Sequence, residues 1–275
     1  MTIRHATDLL EDEPHRDTRS HPCVVSMRGA CPISKLCSRS ADTLDASVTS
    51  QKTGRRILHP KESLYRAGDR LENLYLLRSG SLKVRITSYE GIEHITSFAL
   101  PGNVVGYDGI GTGLHECDAV ALEHSLVCVI PFSGVLTLCC RDSSANRVFQ
   151  KLMASEASYC RRLPLILNHS KSDVRIAHFL AELAARMQRN GYSSREFALA
   201  MTRGEIANHL GMKHETVSRI FTKLHNARIL EISRRQLKIT NIDALKKIGK
   251  GLAPSLSTPV DHLPSRRIRP ELTTF

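Results

Sequence analysis

Thr202-Arg-Gly-Glu-Ile-Ala-Asn-His-Leu-Gly-Met-Lys-His-Glu-Thr-Val-Ser-Arg-Ile-Phe-Thr-Lys-Leu224 reads as two short helices around a tight turn. Thr202 and Glu205 have the spacing of a capping box, in which a hydroxyl and a carboxylate satisfy the free amide donors of a helix start. Ile206, Ala207 and Leu210 give the first helix an inward stripe, and Gly211 stands where a left-handed backbone would end it. The second helix, beginning near His214, repeats Val217, Ile220, Phe221 and Leu224 at the i, i+3, i+4, i+7 spacing of one packed face. Glu215, Ser218, Arg219 and Thr222 fall on the opposite, polar face.

A helix with this free face matches the major groove of DNA, where Arg219 can meet guanine O6 and N7, Glu215 cytosine N4, and Ser218 a phosphate or base edge. A carboxylate facing a polyanion is costly unless it accepts a hydrogen bond from a base, which makes Glu215 informative. His214 and Arg203 complete the contact set expected on the two helices, with Thr222. The bland alternative is a solvated helix face; cap, turn glycine, small Ala207 and the Glu-x-x-Ser-Arg set together favour DNA. Downstream, Ile229-Leu-Glu-Ile232 and Gln236-Leu-Lys-Ile-Thr240 alternate apolar residues around Ser233-Arg234-Arg235, as in a two-stranded wing. Arg234 and Arg235 at its tip are expected on phosphates, positioning the protein without reading sequence.

The rest of the composition agrees with this reading. At 275 residues the chain suits two domains with tails, and 39 Lys+Arg against 27 Asp+Glu give a net charge of +12. Such an excess favours a polyanionic partner. No apolar run approaches the ~18 residues of a membrane span, and the start lacks a signal-peptide core, so a cytoplasmic protein is expected. The eight cysteines do not resemble a secreted disulfide framework. Cys117, Cys139, Cys140 and Cys160 are read as buried, unreactive thiols. No nucleophile elbow, phosphate loop or zinc-hydrolase helix is present, which argues against an enzyme. An interaction module that uses its winged domain on another protein is the remaining rival class.

Residues 1–22 are polar and aperiodic and are expected to be a disordered tail. Residues 23–40 hold three cysteines, a candidate sensor segment. Within 41–140, short alternating segments from Leu74-Tyr-Leu-Leu77 to Leu126-Val-Cys-Val-Ile130 are separated by glycine turns, the pattern of an antiparallel barrel or roll. Residues 141–170 read as a long helix whose apolar stripe, Phe149, Leu152, Met153, Glu156, Ala157, Cys160 and Leu163, either pairs with its twin in a dimer or covers the roll. Pro164 is expected to kink or end that helix. The winged helix-turn-helix occupies 171–249, opening with a helix from Asp173 to about Arg189, and 250–275 is a proline- and arginine-bearing tail, expected to be flexible. The fold class is α+β: an N-terminal antiparallel β-roll of the cyclic-nucleotide-binding, jelly-roll kind, a long dimerisation helix, and a C-terminal winged helix-turn-helix.

This order resembles the CRP/FNR family of bacterial transcription regulators. Cys31-Pro-Ile-Ser-Lys-Leu-Cys37, Arg66-Ala-Gly-Asp69, Leu77-Arg-Ser-Gly80, Leu100-Pro-Gly-Asn-Val-Val-Gly106, Leu126-Val-Cys-Val-Ile-Pro-Phe132, Met201-Thr-Arg-Gly-Glu205 and Glu215-Thr-Val-Ser-Arg219 bring it closest to the FNR branch. The resemblance implies a homodimer on double-stranded DNA at a palindrome like TTGAT-N4-ATCAA, and contact with RNA polymerase through surface loops, one of them Ser88 to His94. It implies an oxygen-labile 4Fe-4S cluster on cysteines, an intact cluster favouring the dimer. Cys31, Cys37 and Cys128 match three ligands of the family pattern. Where that pattern has its fourth cysteine this chain has Arg28, and Cys23 lies five residues earlier; a loop containing Gly29 lets Cys23 close on a cluster at modest entropic cost. Two alternatives stand beside it: a regulator that has lost its cofactor and binds DNA constitutively, or a thiol redox or metal sensor built on Cys23, Cys31 and Cys37. Cyclic-nucleotide regulators of this family hold ribose and phosphate with a glutamate and an arginine-serine pair. This chain has Gly106-Tyr-Asp-Gly-Ile-Gly111 in the corresponding region and no arginine-serine pair after it, so no nucleotide is expected.

Overall fold

The computed structural model describes residues 54–169 and 171–249. They fall into two compact units, one of residues up to Leu82 with Ala99–Met153, the other of Lys83–Phe98 with Ala154 onward. Cys23, Cys31, Cys37 and both terminal tails lie outside the described residues.

The first unit is the roll. Strands β1 (Gly54–Leu58), β2 (Ser63–Tyr65), β3 (Asn73–Ser79), β6 (Val104–Val105), β7 (Asp118–Ala121) and β8 (Ser125–Pro131) are short, and glycine turns join several of them. One sheet runs in the order β1-β8-β3-β6, antiparallel throughout, with Arg55 opposite Cys128 and Cys128 opposite Leu76. β2 pairs with β7 around a register shift between Ser63 and Tyr65. The turn after β3 needs Gly80: its φ is +82°, and a methyl there would sit 2.2 Å from Ser125 Oγ and 2.5 Å from the His124 carbonyl.

Helix α1 (Phe132–Arg141) follows β8 directly and covers this sheet. The sequence reading placed these residues inside the roll without a helix. α1 has no side-chain cap at its start, where Pro131 stands, so no local signal separates it from the apolar strand before it. Leu74, Leu76, Val104, Cys128 and Ile130 from the sheet pack with Val135, Leu138 and Ala145 in one buried cluster, joined by Val148, Phe149 and Leu152 of the next helix.

That helix, α2 (Ser143–His169), lies within the expected 141–170 and runs on past Pro164, which does not end it. Proline removes one amide donor, and the turns on either side carry the helix past it.

The second unit contains the reading elements. Strands β4 (Leu82–Thr87) and β5 (Glu93–Ala99) form a hairpin, which by packing goes with the C-terminal helices although it is continuous in sequence with the roll. Helix α3 (Ser172–Arg189) buries Ile176, Ala177, Phe179, Leu180, Leu183 and Ala184 along one face. It is followed by β9 (Glu196–Ala198), α4 (Arg203–His209), α5 (His214–Asn226), β10 (Leu230–Ser233), β11 (Gln236–Ile239) and α6 (Ile242–Gly249). The wing has three strands, β10-β11-β9, not two: Phe197 sits opposite Leu237. Three residues, Glu196-Phe-Ala198, are too few to show a period in sequence.

Candidate nucleic-acid interface

The reading head is built from its caps inward. Thr202 Oγ1 accepts from the Glu205 amide at 3.1 Å, and Glu205 Oε2 accepts from the Thr202 amide at 2.8 Å, a complete capping box. Lys83 Nζ, from β4, donates to Glu205 Oε1 at 2.8 Å. Burial raises the Glu205 pKa, but the hydrogen bonds from Lys83 and Thr202 outweigh it and hold the carboxyl below its usual range.

The turn between α4 and α5 is a Schellman motif. Met212 N–H donates to the Ala207 carbonyl at 2.8 Å, Gly211 N–H donates to the Asn208 carbonyl at 3.2 Å, and Gly211 has φ +59°. With Ile206 and Leu210 buried on one side and Val217, Ile220, Phe221 and Leu224 on the other, the two helices form one packed body.

This packing fixes the outward face of α5. Glu215, Arg219 and Thr222 are exposed and Ser218 is half-buried, with the Thr222 hydroxyl donating to the Ser218 carbonyl at 3.1 Å. His214 is exposed at the helix start. Arg203 differs from the free contact expected of it: its guanidinium lies 3.5 Å from the centroid of the Phe221 ring, and burial lowers its pKa. Arg203 is half-buried against that ring and not fully exposed. Arg234, with φ +55°, and Arg235 are exposed at the wing tip. The Arg235 carbonyl is anchored by the Leu199 amide at 2.7 Å.

In the roll, the loop from Tyr107 to Cys117 closes on itself. Asp108 Oδ2 accepts from the amides of Glu116 (2.9 Å) and Cys117 (3.3 Å) and from the Cys117 thiol (3.1 Å). His115 Nδ1 lies 3.3 Å from Asp108 Oδ1, and Tyr65 stacks on the His115 ring at 3.8 Å. Burial, then the Asp108 carboxylate, keeps the Cys117 thiol protonated far above its ordinary range. Nothing local in the sequence marks this cluster, whose members span Tyr65 to Cys117. Cys117 is buried as expected, but Cys139 is half-buried and Cys140 and Cys160 are exposed, so the reading of all four as buried thiols fails. Their helices present those turns to solvent, which an apolar sequence context alone does not reveal.

Of the expected cluster ligands only Cys128 is described; it is 4% exposed, on β8. Among the described residues no group of three or more His, Cys, Asp or Glu side chains could hold a metal ion. On α2, Leu152 packs on the roll's core, while Ala157 and Cys160 are exposed and Met153, Glu156 and Leu163 are half-buried.

Residues 174–248 match the Crp-like helix-turn-helix domain, and residues 55–142 match the cyclic nucleotide-binding domain. Among solved structures, FixK2 from Bradyrhizobium japonicum shares the fold at a TM-score of 0.63 and 24% identity, over 72% of this chain and 98% of that one. A CRP-family transcriptional regulator from Thermus thermophilus, TTHB099, does so at 0.56 and 18%, over 71% and 96%. Roll, long helix and winged reading head therefore define a DNA-binding transcription regulator, a class that works by binding and not by catalysis. The chain is 34% identical over 239 residues to the fumarate and nitrate reduction regulatory protein of Shigella dysenteriae, across 85% of this chain and 94% of that one. It is 35% identical over 236 residues to the protein of the same name from Salmonella typhimurium, across 84% and 92%. It belongs to the CRP/FNR family, in its FNR-like branch.

Proposed function

We propose that this regulator recognises a palindrome like TTGAT-N4-ATCAA as a cytoplasmic homodimer and responds to oxygen or redox state through a 4Fe-4S cluster. The observation that carries the DNA reading is the face of α5, where Glu215 and Arg219 stand exposed and Ser218 half-exposed above a fully buried opposite side. Arg219 suits guanine and Glu215 cytosine, with Arg203, His214, Thr222, Arg234 and Arg235 as supporting contacts. Arg219→Ala should cost about 1–3 kcal/mol of the preference for the palindrome over random duplex while the protein still dimerises. Undiminished preference would overturn this reading.

The cluster would be held by Cys23, Cys31, Cys37 and Cys128. Two features of the described residues suit that role. Cys128 is shielded from water, and its strand pairs with β1, whose first residue, Gly54, follows Cys37 by seventeen positions in sequence. When bound, such a cluster supplies an oxygen-labile centre whose charge is spread over soft sulfur donors. The relatives named for fumarate and nitrate reduction support the reading by kinship alone. The protein's own part in the switch would be pairing of α2 along Met153, Glu156, Ala157, Cys160 and Leu163, which brings two reading heads onto one site. The hairpin tip, with Tyr89 and Ile92 exposed, is the surface offered to RNA polymerase.

The Asp108 carboxylate occupies the amides of Glu116 and Cys117, donors that an anionic ligand of the loop would need, which supports a roll that binds no cyclic nucleotide. Iron, sulfide and visible absorbance of anaerobically purified protein, wild type beside Cys23→Ala, test the cluster. Aerobic and anaerobic preparations that bind operator equally, with no iron in either, would rule the switch out.

A further inference from the structure

The β4–β5 hairpin meets the reading head through hydrogen bonds that copy a missing strand. β5 has a strand neighbour on one side only, β4. Its other edge is taken up by side chains of α3 and α4. Asn208 Oδ1 accepts from the Ile95 amide at 2.7 Å, and Asn208 Nδ2 donates to the Glu93 carbonyl at 2.8 Å. The side-chain amide thus serves two edge groups two residues apart, as a partner backbone would.

His209, 1% exposed, extends the contact. Its Nδ1 lies 2.9 Å from the Ile95 carbonyl, which can only accept, so Nδ1 carries the proton. In a neutral ring Nε2 is then an acceptor, and the Tyr159 hydroxyl of α2, 3.3 Å away, donates to it. The ring is wedged edgewise between Phe98 of β5 and Phe179 of α3, at centroid distances of 5.2 and 5.7 Å. Arg186 Nη2 donates to the Phe98 carbonyl at 2.9 Å, and Lys83 reaches the capping carboxylate of Glu205.

α4 therefore has its start fastened to β4 through Glu205, and its last turn to β5 and α2 through Asn208 and His209. Because the Schellman turn and the shared core make α4 and α5 one body, whatever orients α4 also orients the face that reads bases.

We propose that the hairpin is a clamp setting the pose of the reading helix, with Asn208 and His209 as positioning residues for operator recognition. The proposal rests on the palindrome-reading function above. Two reading heads must meet half-sites at a fixed spacing, so a loosened clamp costs selectivity for the palindrome. Affinity for random duplex depends on charge near phosphates, which Asn208 and the neutral His209 do not supply and which in Lys83 is already paired with Glu205, and it stays as it was. An effect through partial unfolding would lower both affinities together.

The test compares Asn208→Ala, His209→Gln and Lys83→Ala with wild type, all full-length and purified without oxygen. Binding is read by fluorescence anisotropy on a TTGAT-N4-ATCAA duplex and on a random duplex of equal length, with the dimer fraction read by sedimentation. Asn208→Ala and His209→Gln should bind the palindrome about ten-fold more weakly and Lys83→Ala about three-fold, with random-duplex affinity and dimer fraction unchanged; ten-fold corresponds to about 1.4 kcal/mol. Asn208→Asp, which keeps the acceptor for the Ile95 amide and loses the donor to the Glu93 carbonyl, should fall between wild type and Asn208→Ala. Wild-type palindrome affinity in folded Asn208→Ala and Lys83→Ala proteins would overturn the clamp, as would parallel loss on both duplexes. Should wild type itself show no preference for the palindrome, the assigned operator fails instead. In that case the amide exchange of residues 93–98 with and without random duplex still decides the clamp: faster exchange in Asn208→Ala in both states supports it, and unchanged exchange overturns it.

Discussion

His209 is buried and Arg219 exposed in the same pair of packed helices, and they separate holding from reading at the level of single side chains. Burial, opposed in part by the hydrogen bond to Ile95 and reinforced by the charges of His94 and Arg186, pushes the His209 imidazole down to about 4 from 6.5. The unfolded chain takes up this proton below pH 6.5 while the folded chain declines it until about pH 4. The stability due to keeping the ring neutral is present above 6.5 and is lost as the pH falls through that window, about 3 kcal/mol in all. Denaturant melts at pH 7 and pH 4.5 should show a smaller difference for His209→Gln than for wild type; equal differences would remove His209 as the source. Arg219→Ala should leave these melts unchanged and cost about 1–3 kcal/mol of operator binding, read as a relaxed base preference at one position of each half-site. Thr202→Ala belongs to the holding side, where loss of an N-cap costs about 1 kcal/mol in a thermal or denaturant melt. These reading and capping residues were legible in the sequence because their partners lie within a few positions. His209 and Asn208 were not: the strand atoms they bond are more than a hundred residues away, and nothing local marks them.

At the scale of elements, helices with strong periodicity and caps announced themselves, as α4 and α5 did through Thr202, Glu205 and Gly211. Elements that borrow their stability from neighbours did not. α1 starts at Pro131 without a side-chain cap, and β9 exists because Phe197 finds a place beside Leu237. Of the two effects expected of Pro164, ending the helix does not occur, since a single missing donor is outweighed by the turns around it. The wing is the element whose role can be isolated most simply. Arg234 and Arg235 project from an exposed tip, so replacing both with alanine should weaken operator and random duplex alike. The slope of log affinity against log salt should flatten by roughly 2, one phosphate contact each. A change confined to the operator would move these residues from positioning to base reading.

For the molecule as a whole, charge and fold agree on a nucleic-acid partner, while the proposed sensing chemistry draws three of its four cysteines from outside the described residues. The described part still bears on it through Cys128, whose burial in the roll's core means that replacing it alters packing as well as any cluster. Cys31→Ala is therefore the better probe than Cys128→Ala. Anaerobic protein should sediment as a dimer and shift toward monomer on exposure to air, whereas Cys31→Ala should stay in one state under both conditions. An air-induced shift that survives in Cys31→Ala would assign the response to other thiols, of which Cys140 and Cys160 are the exposed ones on the helices of the described chain.

The bonds that Asn208 and His209 make along β5 carry one more implication. A strand rim stripped of its partners is adhesive toward other chains, and Tyr89 and Ile92 near its turn would add to that stickiness. Variants that release the hairpin should therefore turn solutions cloudy on standing at high concentration while their circular dichroism still looks native, making light scattering an earlier alarm than any melting curve.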